Sequence, residues 1–67
     1  METLTVWGYK NGNTKILFTN LVENVSCIAR AKRTASEQGY KIIHVIRNAS
    51  AKNGYIYKDV TENFLKR

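Results

Sequence analysis

The dipeptide Asn11–Gly12, set between two runs rich in β-branched and aromatic residues, constrains this chain more than any other feature. Asn-Gly readily takes the positive φ angles of a type I′ turn, and the twist of that turn suits a two-residue hairpin. Leu4–Lys10 and Thr14–Thr19 are therefore expected to pair as antiparallel strands. In the simplest register Val6 faces Leu17 and Trp7 faces Ile16. Trp7, Tyr9, Ile16 and Phe18 then share one side of the hairpin, and Leu4, Val6 and Leu17 share the other. Gly8 is a natural place for a bulge that would shift this pairing.

A helix is expected next. Asn20 is a good N-cap and Glu23 lies three residues on, a spacing that resembles a capping box. Gly39 supplies the C′ stop, with Tyr40 placed to touch Ala35. On a 3.6-residue period Leu21, Val25, Ile28, Ala31 and Ala35 form an apolar stripe, with Glu23, Ser26, Arg30, Arg33 and Glu37 behind it. The inward residues are mostly small, which suits a bulky counterpart, so the helix is expected over Trp7, Ile16 and Phe18.

Tyr40–Arg47 reads as a third strand, with Ile42, His44 and Ile46 on one side and Ile43 and Val45 on the other. Apolar residues on both sides mark an inner strand. Asn48–Gly54 reads as a loop with Asn53–Gly54 as its turn signal, and Tyr55–Val60 as a short fourth strand. Asp59 or Thr61 then caps a last helical turn through Phe64 and Leu65. The expected class is α+β: a single domain spanning 1–67 with a small antiparallel sheet, ββαβ or ββαββ. One helix packs on one face, and a short helical turn closes the chain.

Length limits what such a domain can do. A chain of 67 residues buries only about 60% of the surface its unfolded form exposes, leaving little room for an enclosed catalytic pocket. The single cysteine, Cys27, cannot form an internal disulfide, which favours a reducing compartment. The first residues lack the basic and apolar regions of a signal peptide, and no apolar run approaches a membrane span. A cytoplasmic protein without membrane contact is expected.

Reactive clusters are missing from the sequence. His44, the only histidine, lies between Ile42 and Ile46 and reads as a half-buried packing residue able to respond to pH. Cys27 reads as a small side chain at the border of the helix stripe. One Cys and one His make no metal cluster, Glu37 pairs with Arg33 at i,i+4 spacing, and no phosphate loop or nucleophile elbow is present. The expectation is a non-enzymatic protein without cofactor or metal.

Charge supplies the functional signal. The formal net charge is +6, and the stretch from Arg30 to Lys58 carries all of the excess. Arg30, Lys32, Arg33, Lys41, Arg47, Lys52 and Lys58 stand there against Glu37 alone, whereas Lys10, Lys15, Lys66 and Arg67 are matched by Glu2, Glu23, Asp59 and Glu62. Such a field concentrates acidic partners. Arg30, Arg33 and Lys41 are expected near one end of the third strand, with Arg47 and Lys52 about 20 Å away at its other end. Two cationic clusters at that spacing suit phosphates along a nucleic-acid backbone. Lys32 falls inside the apolar stripe, where its stem lies along the core edge and its ammonium reaches water, or where a partner begins.

The aromatic residues offer a second mode. One helix cannot cover both sides of the sheet, and an uncovered side serves a homodimer or a partner protein. Tyr9, Leu4, Val6, Leu17, Tyr55 and Tyr57 are the interface candidates. If Trp7 and Tyr9 lie on the open side, they can instead stack on unpaired bases.

The order hairpin, helix, then the strand Gly39-Tyr40-Lys41-Ile42-Ile43-His44-Val45-Ile46-Arg47 resembles short accessory proteins of phages. Small phage-encoded inhibitors of bacterial RNA polymerase have a similar ββαβ outline, covering roughly residues 4–47 here. The resemblance implies a host-directed protein that acts by binding, docking on an acidic protein surface in the host cytoplasm. It departs from that group in being basic, and none of its functional residues carries over.

Overall fold

A computed structural model describes residues 3–51 and 54–66, and the side chains of these other than 49–51, 55 and 56. The elements follow in the order β1 (Thr3–Lys10), β2 (Asn13–Val22), α1 (Val25–Glu37), β3 (Lys41–Ala51), β4 (Gly54–Asp59) and α2 (Thr61–Lys66). All strand pairings are antiparallel and the sheet order is β2-β1-β3-β4. The domain is thus α+β, ββαββ with a short closing helix. Helix α1 carries the chain from edge strand β2 across β1 to β3.

The first turn forms as its residues dictate. Asn11 and Gly12 have φ of 51° and 83°, the left-handed pair that a type I′ turn requires. Trp7 pairs with Ile16 as expected, but Val6 pairs with Phe18 and not with Leu17. Leu17 is an extra residue in β2. A second irregularity sets Thr19 and Asn20 against Thr5 alone, and Asn20 takes φ 55° there. Such positive angles are tolerated by Asn more readily than by most residues.

These bulges decide which side the helices cover. They turn Phe18 and Leu21 toward the side that already holds Leu4, Val6 and Leu17, so the bulk collects there. The core is Leu4, Val6, Ile28, Ala31, Ala35, Ile42, Val45, Val60 and Phe64. The helix therefore packs over Leu4 and Val6, and not over Trp7 and Ile16 as complementarity of size had suggested. Leu4 and Val6, expected at an open interface, are 1% and 0% exposed, and Leu17 is half-buried beside them.

A third bulge corrects β3. Trp7 pairs with His44 while Gly8 pairs with Ile42, leaving Ile43 as the extra residue. Ile42 and Val45 consequently share the buried side, and His44 and Ile46 take the other, since residues paired across a ladder point the same way. Of the expected loop Asn48–Gly54 the described residues are strand, because β3 and β4 stay paired out to Ala51 and Gly54, and Asn53 of the turn signal lies outside the described residues.

Helix α1 begins later than expected. Asn24, not Asn20, is the N-cap: its backbone is extended and its Oδ1 accepts from the Cys27 N–H at 2.8 Å. Residues up to Val22 are held in the ladder instead. Val25, placed in the stripe, sits in the first helical turn and is 81% exposed. The far end follows the sequence: Gly39 (φ 81°) donates to Ser36 O and Tyr40 N–H to Ala35 O at 2.8 Å, the paired bonds of a Schellman motif.

Gly8 is required by close packing. A Cβ at this position would lie 2.8 Å from Leu17 Cγ. Gly8→Ala is expected to cost about 1–3 kcal/mol in urea unfolding, with much of the loss recovered in Gly8→Ala/Leu17→Ala. Additive losses would contradict this contact.

Helices α1 and α2 lie on the same side, since the Lys32 ammonium of α1 donates to Phe64 O and Leu65 O of α2 at 3.3 and 3.2 Å. The domain measures 39 × 26 × 18 Å, and its thinnest dimension accommodates one sheet and one helical layer. No described element covers the other side of the sheet.

Candidate nucleic-acid interface

The cations that cluster in sequence do not share one side of the fold. Arg30 and Arg33 are exposed on the outer surface of α1. Lys41 is exposed at the start of β3, opposite Tyr9 on the uncovered side. Lys58 is exposed on β4, where it pairs with Arg47. Lys52 lies outside the described residues. Strand alternation and helical rotation distribute neighbouring charges among different faces.

Two expected phosphate-binding residues have structural partners instead. Arg47 Nε and Nη2 donate to the Glu23 carboxylate at 2.7 and 2.6 Å, a bidentate pair whose side chains are 24% and 15% exposed. Glu23 thus holds β3 rather than capping a helix. Lys32 closes the C-terminal end of α2 through its bonds to Phe64 O and Leu65 O, where a cation meets the negative end of the helix. Glu37 makes no ion pair with Arg33; the ion pairs among the described side chains join Glu23 to Arg47, Glu62 to Lys66 and Asp59 to His44.

Two lysines discounted on charge balance occupy a site of interest. Lys10 and Lys15 reach across the hairpin to Tyr40, with ammonium groups 5.2 and 4.9 Å from its ring centre. Lys10 also donates to Gln38 O at 2.8 Å at the end of α1. Glu23, Asp59 and Glu62 are committed elsewhere, so Lys10 and Lys15 on the helix-covered side and Lys41 on the uncovered side stand at the hairpin end without a carboxylate partner among the described residues. Sequence counting missed this because it cancelled charges by number and not by position. The i,i+5 spacing across Asn11–Gly12 could have revealed that Lys10 and Lys15 lie on one hairpin end.

The uncovered side is the largest exposed surface built by the sheet. Register places Thr3, Thr5, Trp7 and Tyr9 of β1 on it, beside Ile16 of β2 and Lys41, His44, Ile46 and Asn48 of β3. Trp7 is half-buried, Tyr9 is 45% and Ile16 43% exposed. Tyr57 pairs with Asn48 and is 68% exposed; the side chain of Tyr55 lies outside the described residues. Asn48 Nδ2 donates to Thr5 Oγ1 at 2.7 Å, fixing part of this surface.

His44 and Asp59 meet at its margin, 3.7 Å apart between Nδ1 and Oδ2. Asp59 Oδ1 accepts from the Thr61 N–H at 2.9 Å and hydroxyl at 2.7 Å, and these bonds, with a smaller contribution from His44, hold its carboxyl below the ordinary aspartate value. A depressed pKa contributes stability above the unfolded value, near 3.9, that is lost as pH falls through the folded value. A carboxyl titration followed by NMR should therefore give Asp59 a midpoint below 3.9. An ordinary or raised midpoint would contradict the Thr61 bonds.

The adjoining hollow of about 570 Å³, lined by Asp59, Thr61, Glu62, Asn63 and Leu65, carries acids and so repels phosphate. Cys27 is half-buried on α1. Among the described residues no group of three His, Cys, Asp or Glu side chains could hold a metal ion, and no helix is long and apolar enough to cross a membrane. No protein-family model matches the chain, and no curated protein and no solved structure matches it.

Proposed function

We propose that this protein is a small non-enzymatic module that binds nucleic acid through phosphate contacts. The observation that carries the reading is the gathering of Lys10, Lys15 and Lys41 at the hairpin end, without carboxylate partners among the described residues, in a chain of net charge +6. Arg30, Arg33 and Lys58 extend the field and steer a polyanion toward the domain. Arg47 and Lys32 serve the fold.

Affinity for DNA or RNA should fall steeply between low and moderate salt. Lys15→Gln and Lys41→Gln should each flatten the log–log salt slope by about 0.7–0.9. Salt-insensitive binding, or none to either nucleic acid, would refute the reading.

A second reading rests on the apolar groups of the uncovered side. Ile16, Ile46 and Trp7 there suit an acidic host protein inhibited by docking, the role implied by the phage resemblance. A stoichiometric protein partner recovered from nuclease-treated lysate would favour it.

A further inference from the structure

We infer that the uncovered sheet face is a platform for single-stranded nucleic acid, on which unpaired bases stack against Trp7 and Tyr9. The inference rests on the nucleic-acid reading and names the form of nucleic acid and the way it is held. Trp7 and Tyr9 are alternate residues of the central strand β1 and lie on the same side of the sheet. Alternate residues of an antiparallel strand stand about 6.8 Å apart. That is twice the 3.4 Å rise of bases along one strand of a duplex. Neighbouring bases must separate to use both rings, and a paired, stacked duplex cannot do so without opening.

One phosphate contact has a matching place. Lys41 lies directly opposite Tyr9 in the ladder on this face, whereas Lys10 and Lys15 turn to the helix-covered side at the same end of the hairpin, over Tyr40 and Gln38. A strand whose base sits on Tyr9 therefore runs its backbone past Lys41, with Lys10 and Lys15 adding to the field from behind the sheet. Of the described acids, Asp59 lies on this face at its β4 margin beside His44, toward the end of β3 away from Lys41, and Glu62 is on α2. Charge thus draws the strand toward the Lys41 end of the face and away from Asp59. It also argues against a second copy of the chain as the occupant, because closing two faces together would oppose two bodies of charge +6.

Aromatic stacking tolerates any base, so weak sequence preference is expected alongside strong salt dependence. Ile16 and Ile46, flanking Trp7 and Thr5 in the ladder, exclude water from the base planes.

Trp7 is the only tryptophan, which makes its emission a reporter located on the platform. Titration of the full chain with a short oligo(dT) strand should quench Trp7, and a short duplex should bind more weakly. Tyr9→Ala should weaken strand binding about tenfold, whereas Tyr9→Phe should retain it. Tyr9→Phe should unfold at the wild-type urea midpoint, and Tyr9→Ala, at a 45% exposed position, should lower it slightly while leaving the chain folded in the binding assay. Duplex binding as tight as strand binding, or strand binding without a change in Trp7 emission, would overturn the platform while leaving nucleic-acid binding intact. Absence of binding to strand and duplex alike would remove the parent reading with it. Trp7 emission that shifts with protein concentration alone would identify a second copy as the occupant and overturn the inference.

Discussion

Phe64→Ala should lower stability by about 3–5 kcal/mol. Phe64 is 2% exposed and brings the six-residue α2 into the core beside Leu4, Ile28 and Val60. So short a helix has no stability of its own, and Phe64 is its buried apolar anchor, beside the polar ties of Thr61 to β3 and of Lys32 to its C-terminal carbonyls. A domain of this size has about 3–10 kcal/mol in total, so the loss is a large fraction of it and the urea midpoint should fall steeply. Leu65→Ala, at a 47% exposed position on the same helix, should cost well under half as much. Comparable urea midpoints for the two variants would show that α2 is not docked through Phe64.

Glu23→Ala is expected to cost about 2–4 kcal/mol, because it leaves the Arg47 guanidinium on the helix-covered side without its bidentate carboxylate. Arg47→Ala should be similarly harmful. Glu23→Met/Arg47→Met should be milder than either, since replacing both partners leaves no stranded charge. Losses that simply add across the cycle would contradict a coupled pair. The same variants separate fold from function. If Arg47 serves β3 alone, Arg47→Met in the double variant leaves the salt slope of nucleic-acid binding unchanged, whereas Lys41→Gln flattens it.

Those two arginine and lysine positions illustrate what the sequence discloses. The turn at Asn11–Gly12 and the stop at Gly39 were legible because each depends on a backbone angle that few residues accept. Element order and the α+β class followed from them. The covered side was misread because Leu17, Asn20 and Ile43 are bulged residues, and each extra residue reverses the facing of what lies beyond it. Gly8 signalled a bulge, and Leu17 and Ile43 are bulged on the strands either side of Trp7 and Gly8, but nothing local showed which partner residue would be the extra one. Asn20 drew attention as a cap, and its positive φ in fact serves a bulge.

Charge was harder still to read. Arg47 and Glu23 are 24 residues apart in the chain yet 2.6 Å apart in space, and only the folded sheet brings them together. Lys10 and Lys15 looked balanced by acids that the fold carries to other partners. The aromatic face was anticipated as a conditional outcome. It became definite once bulges committed Leu4 and Val6 to the helices and left Trp7 and Tyr9 outward.

Amide chemical-shift mapping of the labelled chain, titrated with a short single strand, tests the account most directly. Perturbations should centre on Trp7, Tyr9, Lys41 and His44 and extend to Lys10 and Lys15, with α1 little affected. Shifts confined to the outer surface of α1 around Arg30 and Arg33, or no shifts at low salt, would contradict it.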